Sequence, residues 1–334
     1  MIEGWSPLAL EILAGDKETP EKIITNLYNL YKDKDRYIIL KIAKNPNAPA
    51  NILKKIYYNK DYEEDEEIKF ELAGNPNTPI NIITYLYKHS SKYINEDDIL
   101  KNIAGNPKTP TYILEEIIYY SDFPHVVDAA VSNVSLPVNI IRRLFEENNA
   151  LPSIAKNPNT PEDIIRKLYK IKADITYKSL IYGNLARNPN TPIDIIKELF
   201  EERDNPFLSK SILYGLSENP NLPDYIFTEL YNTGDTENIL PNLSENPGTP
   251  SDILDELAKS RKSYITENVA KHPNTKLSTL LYLMYYNTDE LTNELTNTTA
   301  FVKLNLRCGR FKWQNGQKYL QWDYSKMKIF QLIL

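Results

Sequence analysis

The residues able to catalyse a reaction or bind a metal are few in this sequence and lie far apart. Its 334 residues include three histidines, His89, His125 and His272, and one cysteine, Cys308. No histidine stands at metal-ligand spacing from another imidazole or a carboxylate, and one thiol can form neither an internal disulfide nor a multi-thiolate site. No phosphate-binding glycine loop, nucleophile elbow or HExxH motif occurs. The sequence therefore predicts no catalytic residue, no metal site, no cofactor and no enzymatic activity.

An acidic run, DYEEDEE at 61–67, could attract a cation or a basic partner. It lacks the alternating ligands and the glycine of a calcium loop, so we interpret it as a solvated insert. The single cysteine gives no sign of an oxidising compartment. The N-terminus lacks the basic and apolar regions of a signal peptide, and no stretch approaches the ~20 apolar residues of a membrane span. We expect a soluble, cytoplasmic protein that does not bind membranes.

The clearest pattern is an internal repeat built on proline. Seventeen of the 22 prolines fall in ten copies of a motif whose best form is Asn-Pro-Asn-Thr-Pro. Its closing position recurs every 24 to 31 residues. The copies, or repeat joints, lie at 16–20, 45–49, 75–79, 106–110, 133–137, 157–161, 188–192, 219–223, 246–250 and 272–276.

Helices are predicted on both sides of each joint. The third, fourth, seventh and eighth residues after the closing position are mostly apolar, and these offsets share one face of an α-helix. Upstream, an aliphatic residue precedes a small one, as in Ile42–Ala43, which suggests a helix of one to two turns. We expect Asn to end that short helix in a left-handed conformation. We expect Thr to cap the longer helix and the closing Pro to be its first residue.

One unit alone is too small to fold. About six buried apolar side chains contribute roughly 12 kcal/mol, against roughly 40 kcal/mol for ordering some 28 residues. Units must therefore share their apolar faces, as in a solenoid. The sequence predicts an all-α fold, an α-solenoid of about ten short-helix/long-helix repeats over residues 1–300, as one elongated array.

These units resemble the variant leucine-rich repeat family. LARNPNTPIDIIKEL at 185–199 is a close match to the family pattern, and the resemblance covers about residues 8–288. It implies an all-helical superhelix, right-handed, in which 3₁₀-like helices alternate with α-helices. Some members carry an iron–sulfur cluster on cysteines near the N-terminus. This chain has no cysteine before Cys308, so that cofactor is not carried over.

Two sets of repeated side chains are candidate binding residues. The first motif position, usually Asn, could form an amide ladder for a ligand, but we interpret it as turn chemistry. The eighth position after the joint is aromatic in seven units, at the edge of the apolar stripe. It could line a partner-binding surface or pack at the edge of the core. We call these residues the aromatic ladder: Tyr28, Tyr57, Tyr87, Phe145, Tyr169, Phe200 and Tyr231.

The segment 301–334 differs from the array. It carries seven basic residues and one acidic residue, a net charge of +6, within a total of −6, so residues 1–300 sum to −12. Asn315–Gly316 predicts a small β-hairpin. The segment could cap the last unit with Trp313, Tyr319 and Trp322, or dock to nucleic acid or an acidic surface.

The sequence therefore favours a non-enzymatic scaffold that binds protein or peptide along an extended surface. The alternative is a nucleic-acid-associated repeat protein using the basic segment, which the acidic array disfavours because phosphate binding needs a basic face. Abundant Asn, Ile, Lys and Tyr are typical of AT-rich coding, as in some bacteria and phages. The partner's identity and the oligomeric state do not follow from these patterns.

Overall fold

A computed structural model describes residues 5–92, 96–285 and 293–307, with two short strands beyond them. The three long ranges consist of helices joined by turns, which confirms the predicted all-α class. Within the described residues, no helix is long and apolar enough to cross a membrane. The helices, in chain order, are α1 (Pro7–Gly15), α2 (Glu21–Tyr31), α3 (Arg36–Lys44), α4 (Ala50–Tyr57), α5 (Glu66–Gly74), α6 (Ile80–Lys88), α7 (Glu96–Gly105), α8 (Thr111–Tyr120), α9 (Pro124–Val131), α10 (Val138–Glu146), α11 (Leu151–Lys156), α12 (Glu162–Tyr169), α13 (Ile175–Arg187), α14 (Ile193–Glu201), α15 (Ser209–Glu218), α16 (Asp224–Asn232), α17 (Ile239–Glu245), α18 (Ser251–Leu257), α19 (Ser263–Lys271), α20 (Leu277–Tyr285) and α21 (Asn293–Arg307).

Odd-numbered helices precede a joint and are called first helices, and even-numbered ones follow it and are called second helices. The predicted contrast between short and long helices is wrong, because α3 and α6 both have nine residues and α13 has thirteen. The first helices are α-helical, not 3₁₀-like as the resemblance implies. They begin early because upstream aspartates cap them: Asp35, Asp65 and Asp174 accept the backbone N–H of Ile38, Ile68 and Tyr177.

The turn at each joint differs from the prediction in three ways. Asn is extended, with φ −70° and ψ 119° at Asn45, and not left-handed. The closing Pro is itself the N-cap of the second helix, without a side-chain cap. The Thr hydroxyl instead donates to the carbonyl six residues earlier, which satisfies an oxygen at the end of the first helix. These bonds join Thr19 to Leu13, Thr78 to Leu72, Thr109 to Ile103, Thr160 to Ile154, Thr191 to Leu185, Thr249 to Leu243 and Thr275 to Val269.

The apolar face of each second helix packs against the first helices. The third, fourth and seventh residues after the joint are buried, as Ile164, Ile165 and Leu168 illustrate in α12. The buried residues form two clusters, one from α1 to α5 and one from α5 to α20. Helix α21 contributes Val302 to the first cluster and Ala300 to the second. One helix therefore connects the two ends of the core.

The described units close into a circuit. Each first helix packs against the next one in chain order from α1 to α21, and α21 packs against α1. The expected elongated array is therefore corrected, because its two ends meet. Neighbouring second helices approach each other less closely than neighbouring first helices. A closed circuit curves toward the side on which its units lie closer, so the first helices form the inner layer and the second helices the outer layer.

Helix α21 runs without interruption across residue 300, where the sequence suggested that the array ends. No proline follows Ala300, so this helix lacks the residue that interrupts most of the other first helices. Beyond it lie β1 (Lys312–Gln314) and β2 (Gln317–Tyr319), which pair antiparallel with Trp313 opposite Lys318. Asn315 and Gly316, the predicted turn, lie outside the described residues.

Candidate interaction surfaces

The motif asparagines are not available to a ligand, because they are buried and bond adjacent units together. Each Oδ1 accepts the backbone N–H two residues later, the expected turn chemistry, at 2.7 to 2.9 Å. Each Nδ2 also donates to two carbonyls of the preceding unit at 2.5 to 3.0 Å. We call this set the asparagine ladder: Asn45, Asn75, Asn106, Asn133, Asn157, Asn188, Asn219 and Asn246.

A second, more exposed set of bonds runs beside the asparagine ladder. The third motif position donates from its side chain to a turn carbonyl of the preceding unit. Asn77 reaches Pro46, Asn190 reaches Pro158 and Asn221 reaches Pro189, at 2.7, 2.6 and 2.9 Å. Both polar positions of the motif therefore hold the units in register, which the sequence-based interpretation as local turn chemistry did not include.

His272 replaces asparagine at the next step of the ladder. Its Nε2 donates to the carbonyl of Asn246 at 2.7 Å, and its Nδ1 accepts the backbone N–H of Asn274 at 3.1 Å. Both bonds require a neutral imidazole with the proton on Nε2. Burial lowers the pKa of His272, and the positive charges of Lys17, Arg307 and Lys303 also lower it, against the hydrogen bond to Asn246.

We expect His272→Asn to reduce the dependence of stability on pH. Because the folded-state pKa is depressed, the unfolded chain takes up the proton first as the pH falls. The stability is then fully present above the ordinary histidine pKa, about 6.5, and decreases below it. The free energy of unfolding, measured by urea titration at pH 7.5 and 5.5, should decrease more for the native chain than for His272→Asn. Equal decreases would contradict this assignment.

Beyond the last copy of the motif, charged side chains bond neighbouring units in place of asparagine. Arg307 donates from NH2 to the carbonyl of His272 at 2.7 Å and from NH1 to that of Thr275 at 2.5 Å. The same guanidinium pairs with Glu18 at 3.0 Å. Arg307 therefore bonds to the last described joint and to the first one, and so spans the closure of the circuit.

Lys303 completes the closure from inside the core. Its side chain is 1% exposed, and its Nζ lies 2.8 Å from Asp16 Oδ1 and 3.1 Å from Glu18 Oε1. Asp16 occupies the motif position that holds Asn in most other units. Burial alone would raise the pKa of Glu18, but its hydrogen bonds and charge interactions with Arg307 and Lys303 hold it below the ordinary value. We call Asp16, Glu18, Lys303 and Arg307 the closing cluster.

The aromatic ladder lies at the edge of the core. Tyr28 and Phe200 are buried, and the other five rings are partly buried and pack on the core. Tyr87 donates to Glu116 at 3.0 Å, and burial, with that bond, raises the pKa of Tyr87 to about 12. Tyr169 stacks on Tyr182 with centroids 5.1 Å apart. These neighbours leave only part of each partly buried ring open to a partner.

The three remaining predicted aromatics cannot be placed in this surface. Trp322 lies outside the described residues. Trp313 and Tyr319 belong to the two short strands, whose side chains are not among those described.

The exposed aromatic side chains occupy other positions of the repeat. Six large apolar side chains are exposed on the outer-layer helices α6 and α8 and on the residue after α4; we call them the tyrosine face. Tyr120 is 84% exposed and Tyr58 is 59% exposed. Tyr58 and Tyr119 both lie nine residues after the closing position of their joints. The face consists of Tyr58, Ile80, Tyr85, Tyr112, Tyr119 and Tyr120.

Sequence periodicity missed the tyrosine face because its residues do not recur at one offset. They lie one, two, six, nine or ten residues after the closing position of a joint, outside the apolar stripe but spread around the rest of the helix. The available signal was the number of aromatic residues at predicted solvent positions. TYILEEIIYY at 111–120 carries three exposed tyrosines in one helix.

The acidic run and the histidines form no metal site. Among the described residues, no group of three His, Cys, Asp or Glu side chains could hold an ion. The run is also less solvated than predicted, because Asp65 and Glu67 pair with Arg36 at 2.6 and 2.7 Å. His125 lies 3.5 Å from Asp97.

Three basic side chains of the inner layer are paired with acids of adjacent units. Lys44 meets Glu71 at 3.4 Å, Lys156 meets Asp128 at 3.6 Å, and Arg187 meets Glu218 at 2.6 Å. Phosphate binding requires basic groups that are free to replace counterions. These pairs therefore do not favour binding of nucleic acid along the inner layer.

Comparison of the sequence with protein-family models and with curated proteins gives no match.

Proposed function

We propose that this chain is a non-enzymatic α-solenoid, closed on itself, that binds a protein or peptide through the tyrosine face. The resemblance to variant leucine-rich repeats supports the solenoid description, and the contact of α21 with α1 supports closure. The asparagine ladder adds a polar interaction at each of its joints that fixes neighbouring units relative to one another. In such a framework, side chains on the outer layer can differ from unit to unit while the packing of the core stays the same.

The observation that carries the proposal is the concentration of exposed aromatic side chains on α6, on α8 and at Tyr58, directly after α4. Contiguous apolar surface rimmed by polar groups marks an interaction site, and tyrosine is enriched at protein interfaces. Tyrosine combines a large apolar ring with a hydroxyl, so it packs against a partner at low conformational cost. Lys54, Lys88 and Glu115 lie on the same helices and supply the polar rim.

The proposal predicts that alanine at Tyr58, Tyr85, Tyr112 and Tyr120 weakens partner binding about tenfold or more, because central aromatics dominate interface energies. The tagged chain is purified from its native source and co-purifying proteins are identified. The purified partner is then titrated against each variant by calorimetry. Thermal unfolding should be nearly unchanged, since these side chains are exposed.

Two control variants make the test specific. Alanine at Tyr37, Tyr214, Tyr225 and Tyr264 removes the same number of exposed rings elsewhere and should leave the affinity unchanged. Alanine at Tyr87, Tyr169 and Tyr231 should lower the unfolding temperature but not the affinity of the folded protein. Equal loss of binding in the first control would reject the tyrosine face. Loss of affinity only in the second control variant would show that the partner binds the aromatic ladder.

A further inference from the structure

Helix α21 has an unusual set of buried side chains for a first helix. Thr296, Thr299, Lys303 and Asn305 are buried, whereas the corresponding layer of the other first helices is largely aliphatic. Thr296 lies 3.4 Å from Thr266 of α19, hydroxyl to hydroxyl, which aligns the two helices. Buried oxygens of Asn297 and Thr299 have no hydrogen-bond partner among the described residues. Burying a polar group without a partner opposes burial of the helix.

The contact of α21 with α1 also lacks the bonds that connect most other neighbouring units. From α1 to α17, each contact between neighbouring first helices is spanned by a motif asparagine, whose amide donates to two buried carbonyls of the preceding unit. The contact of α21 with α1 is held instead by the closing cluster. Lys303 and Arg307 on α21 face Asp16 and Glu18 on the turn between α1 and α2.

Opening these two kinds of contact has different consequences. Separating an asparagine joint leaves amides and carbonyls that water satisfies, but it also exposes the aliphatic layer of both units. Separating α21 from α1 exposes Val302, which is buried with residues of α1, and also returns two cations and two carboxylates to water. The solvation of these four charges offsets much of the lost attraction. Ion pairs of this kind specify how two surfaces fit together more than they stabilise the contact.

We propose that the contact between α21 and α1 is a latch, at which the circuit opens while the asparagine-bonded joints remain closed. The closing cluster aligns the two surfaces, and the solvation that its four charges regain on separation keeps the closed state weak enough to open. This inference concerns the conformation of the circuit and does not depend on what the tyrosine face binds.

The test measures two distances in the full chain by double electron–electron resonance. Cys308→Ser removes the native thiol. Spin labels at Glu11→Cys on α1 and Thr298→Cys on α21 report the latch. In a second sample, labels at Tyr37→Cys on α3 and Lys69→Cys on α5 report an asparagine joint. Each distance is measured in the parent and with Glu18→Lys, which places a cation against Lys303 and Arg307.

We expect Glu18→Lys to lengthen the latch distance by more than a helix diameter, about 10 Å, and to leave the α3–α5 distance unchanged. The matched control is Glu71→Lys, which reverses the charge facing Lys44 across the asparagine joint and should leave the α3–α5 distance unchanged. Far-UV circular dichroism verifies the helical content. If Glu18→Lys does not fold, Glu18→Gln is measured, and a broadened latch distance is expected.

An unchanged latch distance in the folded Glu18 variant would overturn the proposal. Opening of the α3–α5 pair by Glu71→Lys would overturn it too, because charge reversal would then open joints of either kind. Lengthening of both distances in the Glu18 variant would also count against it, since the circuit would then have no preferred opening point.

Discussion

Asn188→Ala is expected to lower the free energy of unfolding by about 2–4 kcal/mol. Its Nδ2 donates to the carbonyls of Ala155 and Asn157 at 2.9 and 2.8 Å, and its Oδ1 accepts the backbone N–H of Asn190 at 2.9 Å. Asn188 is fully buried, so alanine leaves two carbonyls and one N–H away from water without this partner. The loss is measured by urea titration followed by circular dichroism.

The matched control for this prediction is Asn190→Ala, which changes the asparagine two residues later in the same joint. Asn190 donates one bond to the carbonyl of Pro158 at 2.6 Å, and that bond is exposed. Because water replaces the amide there, we expect a loss of about 1 kcal/mol or less. Similar losses for the two variants would show that burial of the asparagine ladder does not determine its contribution.

Single substitutions in the closing cluster are expected to destabilise the closed form of the circuit strongly. Lys303→Met leaves the buried Asp16 carboxylate without its cation, and Asp16→Leu leaves Lys303 with Glu18 as its remaining carboxylate. Removing one member of a buried ion pair costs about 3–5 kcal/mol. Thermal and urea unfolding of each variant, compared with the native chain, measure this cost.

The double variant Asp16→Leu/Lys303→Met should be more stable than either single variant. It removes both buried charges and replaces them with apolar side chains, a change that is often neutral for stability. Arg142→Met is the control, because its pair with Asp163 at 2.9 Å is exposed and should contribute little to stability. Additive losses for the two single substitutions would show that Asp16 and Lys303 are not coupled.

Local periodicity predicted much of the fold because each unit repeats the same short-range physics. The offsets of Ile164, Ile165 and Leu168 from Pro161 define one helical face, and that face is buried. The pairing of Asn188 with Ala155 was not predicted, since its partner lies 33 residues earlier and depends on how units stack. Threonine was misassigned because its hydroxyl can serve a helix on either side of the turn.

The closure could not be predicted from the repeat. Lys303 and Arg307 lie where the motif has disappeared, and their partners Asp16 and Glu18 are nearly 290 residues away. A charged residue in a degenerate motif copy has the same sequence pattern whether it faces solvent or another helix. The tyrosine face was missed for a related reason, because solvent positions carry no period that marks a surface.

Closure also makes the number of units a geometric quantity. Eleven first helices in the described ranges form the closed circuit, so the rotations from unit to unit must together complete one turn. Units of 24 to 31 residues are bonded to their neighbours in the same way, because the asparagine ladder connects the joints and not the loops. Loops can therefore lengthen without altering the angle. Loss of a whole unit would instead leave an angular gap. Either the rotation at every other joint would have to increase, or the contact of α21 with α1 would have to open.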